Sequence, residues 1–139
     1  MIALSTRVRD LVAGIEYDCG SLDSSGRERP SVTLLHSTLP GRNAQEIGAA
    51  FDRLRALRPR LGVVGARTVI SFRPDAPAVS DDVARAIATA WCVRMGFQDF
   101  TAVRHDPRHL HICASRIRRD GSVVSDRHDF RRSEQIMRA

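Results

Sequence analysis

Lysine is missing from this chain of 139 residues, and all 22 basic side chains are arginine. Contacts to an anion therefore fall to the planar guanidinium, which grips a phosphate through parallel N–H donors better than an ammonium does. Paired cysteines are missing too. Cys19, Cys92 and Cys113 are an odd number without paired spacing, which leaves out a disulfide framework and a zinc knuckle. Cys113 reads first as a small buried residue. No apolar run approaches membrane-spanning length, and the N-terminus has no basic stretch ahead of an apolar core, so the expected location is cytoplasmic. Repeats and low-complexity tracts are absent, and 139 residues suffice for one core, so residues 1–139 are expected to form a single domain. Aromatics are scarce, with one tyrosine, Tyr17, and one tryptophan, Trp91.

What is present concentrates in the last third. The net charge is +6, and Arg104, Arg108, Arg116, Arg118, Arg119, Arg127, Arg131, Arg132 and Arg138 crowd there. This favours an anionic partner, nucleic acid above all. Beside them, His105-Asp106-Pro107-Arg108-His109-Leu110-His111 packs three of the five histidines into seven residues. On a strand, alternation puts His109, His111 and Cys113 on one face and Leu110 and Ile112 on the other. Two imidazoles on one strand face can share a divalent cation, with His105 as third ligand from the edge. The same heptad reads equally as a polar strand face whose histidines are solvated or hydrogen-bonded. Asp106 either orients His105 or caps a turn before Pro107.

Periodicity outlines the elements. Thr6 is expected to cap a helix with Val8, Leu11, Val12 and Ile15 on one face, ending near Gly20. Ser21 to Pro30 reads as a loop, and Ser31 to His36 as a strand. Asn43-Ala44-Gln45-Glu46 has the capping-box pattern, ahead of Ile47, Phe51 and Leu54, with Pro59 stopping the helix. Thr68 to Phe72 is a short strand. Ser80 caps a helix bearing Val83, Ile87 and Trp91, closed by Gly96. Phe100–His105 and His109–Ile117 are strands, Asp120-Gly121 signals a hairpin into Val123-Val124, and a helix is expected from Ser133. Short turns between the late strands argue for an α+β fold with a central, mainly antiparallel sheet and helices packed on it.

From Arg42 onward the chain resembles the conjugative or mobilisation relaxases of the His-hydrophobe-His endonuclease superfamily. The likeness rests on His109-Leu110-His111-Ile112-Cys113-Ala114-Ser115-Arg116-Ile117 and on the run Asp120 to Glu134. Arg94-Met95-Gly96-Phe97, Ile70-Ser71-Phe72-Arg73 and the helix from Ile47 to Pro59 support it. The resemblance implies a relaxase or Rep-like palm in which His105, His109 and His111 hold one divalent metal, Mg²⁺ or Mn²⁺, with Asp106 behind them. It implies Tyr17 as nucleophile on single-stranded DNA at an origin of transfer, leaving a 5′-phosphotyrosine, with Ser71 assisting at the phosphate. Arg104, Arg108, Arg116, Arg118, Arg131 and Arg132 would face DNA, accessory relaxosome proteins are further partners, and no membrane is involved. For stacking, Phe97, Phe100 and Phe130 are the nearby aromatics, with Trp91 assigned to the core.

Three features depart from the family pattern. Tyr17 follows Leu11-Val12 about one helical turn late. His105 stands closer to the His109–His111 pair than usual, which opens His105, His111 and Cys113 as a second ligand set. Thr68 stands where the family often has a histidine. The alternative they raise is a relaxase-like module that binds DNA without cutting it.

Overall fold

The computed structural model describes residues 1–20 and 32–138, so the loop expected over Ser21 to Pro30 lies outside the described residues. The elements run β1 (Ile2–Val8), α1 (Leu11–Asp18), β2 (Thr33–Ser37), α2 (Ala44–Arg55), β3 (Gly65–Ser71), α3 (Asp81–Met95), β4 (Phe100–Asp106), β5 (His109–Ser115) and α4 (Asp129–Arg138). The five strands form one sheet in the order β1-β3-β5-β4-β2, with every pairing antiparallel. Four helices cover it, which is the α+β arrangement expected. Among the described residues no helix is long and apolar enough to cross a membrane.

β5 lies at the centre, and its alternation decides the architecture. Leu110, Ile112 and Ala114 join Ile70 and Ala102 under α3, with Ala84, Ala88, Trp91 and Cys92 packed against them. Trp91 is buried and donates its indole N–H to Ser133 Oγ of α4 at 3.2 Å, fastening the last helix to this layer. On the other face, Val103 and Cys113 meet Leu11 and Ile15 of α1 and Ile47 and Phe51 of α2. Each large apolar side chain buried this way contributes roughly 1.5–3 kcal/mol. On that same face, among the described residues, His109 and His111 line a cleft beside the end of α1.

The N-terminal segment differs from expectation. Residues 2–8 pair with β3 as an edge strand, Thr6 opposite Arg67, and the helix begins only at Leu11. Its cap is Asp10, whose side chain accepts from Val12 N–H at 2.9 Å, not Thr6. Pairing with β3 supplies β1 with the backbone partners that a helix would otherwise have provided. The other caps stand: Asn43 accepts from Glu46 N–H at 2.9 Å, and Ser80 from Val83 N–H at 3.2 Å. Gly96 closes α3 with φ 91°, a left-handed position that suits glycine. Asp120-Gly121 does turn the chain, with Gly121 at φ 84°, into a short antiparallel pairing: Ile117 bridges Val123, and the N–H groups of Arg118 and Val124 donate to the Ser122 and Arg116 carbonyls at 2.8 Å each, though the segment does not extend into a sixth strand. The last helix begins at Asp129, one turn before Ser133.

Candidate active site

Gly14 lets α1 lie close on the sheet: a Cβ there would come within 2.9 Å of Arg67 Cδ and 3.2 Å of Cys113 Sγ. The last turn of α1 therefore ends directly over β3, β4 and β5. Asp18 is 1% exposed at that point. A carboxylate taken out of water has to be paired. It accepts from Arg67 Nη2 at 2.7 Å and from the Cys113 thiol at 3.1 Å. The Asp18 backbone oxygen accepts from His105 Nε2. One residue earlier, Tyr17 is partly exposed, with the Arg67 guanidinium carbon 5.4 Å from its ring centroid, a cation–π distance.

The histidines meet on this same side. The β4–β5 register slips between Arg104 and Asp106, so His105 is the extra residue of a bulge. A bulge re-aims the side chain it carries. The His105 ring lies against His111, with centroids 4.4 Å apart. His111, largely buried, has its pKa pushed down to about 4, first by burial; nearby Asp18 opposes this, while His105, His109 and Arg67 push it lower. It is neutral near pH 7 and keeps a lone pair available. His109 turns its Nδ1 to both Asp106 carboxylate oxygens at 2.9 Å. Burial pushes the Asp106 carboxyl up, but the hydrogen bonds from His109 and the backbone of Arg108 hold it below the usual carboxylate range. Asp106 thus plays both expected parts, capping the turn and orienting a histidine, but the histidine is His109, not His105.

Tyr17, His109, His111 and Ser71 line one cleft of about 490 Å³, floored by Val69 and Arg67 and rimmed by Leu4, Thr6 and Val8 of the edge strand. Ser71 faces His109 across the β3–β5 pairing. The donor chemistry suits a divalent ion: a neutral His111, and His109 with its Nδ1 anchored on a carboxylate and Nε2 left over. As placed, no three His, Cys, Asp or Glu side chains among the described residues are grouped to share one ion. Cys113 is buried and gives its S–H to Asp18, and burial first of all raises its thiol well above the usual range.

The six arginines expected at DNA divide. Arg104 is buried and spent on Asp81 at 3.1 Å and on the carbonyls of Asp106 and Pro107. Arg116 donates to the Val63 and Val124 carbonyls. Arg118 reaches Ser122, and Arg132 the carbonyls of Ser125 and Arg127. Arg108 and Arg131 are exposed. Phe97 and Phe100 are buried, whereas Phe130 is 52% exposed beneath Arg7, at 4.9 Å. Reasoning from sequence missed Asp18 and Arg67. Arg67 was within reach of it, because it shares the pleat of Ser71 four residues on; Asp18 gave no signal beyond adjacency to Tyr17.

Residues 24–139 match the family model described as "Relaxase: MobA/VirD2-like, nuclease domain". Tyr17, Asp18 and the whole of β1 and α1 precede the matched span. No curated protein and no solved structure gives a match.

Proposed function

The chain belongs to the MobA/VirD2-like relaxases through their nuclease domain, and from that premise we propose that it nicks single-stranded DNA at an origin of transfer in mobilisation or conjugation, using Tyr17. The observation that carries this reading is that the chain's one phenol opens into the cleft lined by His109, His111 and Ser71. Attack of the Tyr17 oxygen on phosphorus would form a 5′-phosphotyrosine as the bond to the 3′ oxygen breaks, leaving a 3′-hydroxyl.

His105, His109 and His111 are the residues that would hold a divalent ion, Mg²⁺ or Mn²⁺. Bound there, such an ion supplies neutralisation of the phosphate charge that otherwise repels the nucleophile. Asp106 fixes the His109 ring, and burial keeps His111 neutral and competent as a ligand. Ser71 offers a hydroxyl on the adjacent strand, and the exposed Arg108 sits on the turn that leads into the cleft.

Incubation with a fluorescent single-stranded oligonucleotide pool and Mn²⁺ tests the reading. An SDS-resistant adduct that maps to Tyr17 and disappears in Tyr17→Phe and in EDTA is expected. A second reading, a module that holds DNA without cutting it, is favoured by the engagement of His105 Nε2 with the Asp18 carbonyl, which takes one ring edge of a proposed ligand. It predicts binding without any adduct, indifferent to Tyr17→Phe.

A further inference from the structure

The other arginines that enter the protein body are spent. Arg104 makes three hydrogen bonds and Arg116 reaches two carbonyls, and even Arg119, itself 60% exposed, clamps the buried Asp99 with Nε and Nη2 at 3.0 and 2.7 Å. Arg67 is different. Its stem passes through the slot that Gly14 leaves open, and Nη2 is tied to Asp18. Its buried Nε has no partner, and Nη1 makes no hydrogen bond among the described residues. The side chain keeps 34% exposure, at the floor of the cleft, and it is the only arginine among the described residues that line it.

We propose that Arg67 is the phosphate-binding guanidinium of this cleft, braced by Asp18 so that Nη1 takes a non-bridging oxygen of a single-stranded DNA phosphodiester lying beside Tyr17. The inference rests on the DNA-nicking reading for its ligand, but not on the chemistry of cutting. Two observations converge with the geometry of a guanidinium. The guanidinium lies 5.4 Å from the Tyr17 ring centroid, so an anion on its outer edge stands next to the phenol. The carboxylate behind it is buried and engaged with Arg67 Nη2 and the Cys113 thiol, and with the stem lying in the slot at Gly14 it holds the inner side of the guanidinium against α1. A planar fork with a fixed inner edge offers its outer edge to an incoming anion at little further entropic cost.

The test is binding of the same oligonucleotide pool by fluorescence anisotropy in EDTA over a series of salt concentrations. The decisive variant is Asp18→Asn with Arg67→Gln, which removes one charge of each sign, so the net charge stays at +6 (+6 − 1 + 1). Loss of one single-strand phosphate contact flattens the slope of log K against log salt by about 0.7, with affinity down about tenfold. Arg67→Lys should retain the slope and lose part of the affinity. Arg94→Gln, an exposed change on the helix across the sheet, should leave both unaltered. If the double variant is folded by thermal melting and binds with the wild-type slope and affinity, the proposal is overturned, whatever the adduct assay shows. If the slope flattens while no adduct forms on Tyr17, Arg67 keeps its role and the nicking reading falls. An unfolded double variant shifts the measurement to Arg67→Lys, where unchanged affinity overturns the proposal and reduced affinity at constant slope upholds it.

Discussion

Gly14 sets the distance between the last turn of α1 and the sheet, and Tyr17 and Asp18 follow from it. Alanine there gains about 1 kcal/mol of helix propensity over glycine. Against that gain, its methyl would press on Arg67 Cδ and Cys113 Sγ, both held by the Asp18 network, and overpacking of this kind costs about 1–3 kcal/mol. Gly14→Ala is therefore expected to destabilise by about 1 kcal/mol net, read as a lower urea midpoint at constant slope, and to reduce adduct formation by more than its stability loss explains. A variant at least as stable as wild type would show that the contact relaxes freely. At this scale the sequence was only half legible. The alternation in His109-Leu110-His111 announced its two faces. Nothing local announced that His105 would be re-aimed by a bulge onto His111, or that Asp106 would turn to His109, because both depend on a register slip between two strands.

Elements with strong local signals came out where their residues placed them. Asn43 and Ser80 cap α2 and α3, and Gly96 ends α3 in a left-handed conformation, since each acts through backbone groups within one turn. The N-terminal strand was illegible for the converse reason. Ile2 to Val8 is held by β3, over fifty residues away, and its alternation of Leu4, Thr6 and Val8 is shared with a helical spacing toward Leu11. That edge strand also docks α4. Arg7 reaches Asp129 in the first turn of α4 through Nε at 3.1 Å and Nη2 at 2.9 Å. Burial raises the Asp129 carboxyl, but the Arg7 hydrogen bond, the Phe130 N–H and the charges of Arg7 and Arg132 outweigh it and hold its pKa below the usual value. A carboxyl depressed in the folded state contributes stability above its unfolded pKa, near 3.9, and loses it as pH falls through the lower folded value. Asp129→Asn should accordingly lower the melting temperature at pH 7, with the gap to wild type closing as pH falls below about 4. A gap that persists undiminished at pH 3 would mean that helix capping, not the ion pair, docks α4.

Among the described residues, α3 and α4 cover one face of the sheet and α1 and α2 the other, with the cleft beside the end of α1. The composition announced a basic protein; it did not reveal which guanidinium groups are already occupied, because burial and carbonyl partners arise only on folding. Arg104 and Arg116 are tied into the body, at 9% and 11% side-chain exposure, whereas Arg108 and Arg131 stand in solvent. These two classes should respond oppositely to the same change. Arg104→Gln and Arg116→Gln remove largely buried guanidinium groups together with their hydrogen bonds to carbonyls and, for Arg104, to the Asp81 carboxylate, costing about 1–3 kcal/mol each, with little effect on salt dependence once the protein is folded. Arg108→Gln with Arg131→Gln should leave the melting temperature within a degree or two, as exposed substitutions usually do. If both contact the DNA backbone, the pair of changes flattens the slope of log K against log salt by about 1.4, at about 0.7 per single-strand phosphate. Equal slopes for wild type and the Arg108, Arg131 double variant would show that neither side chain lies on the DNA track.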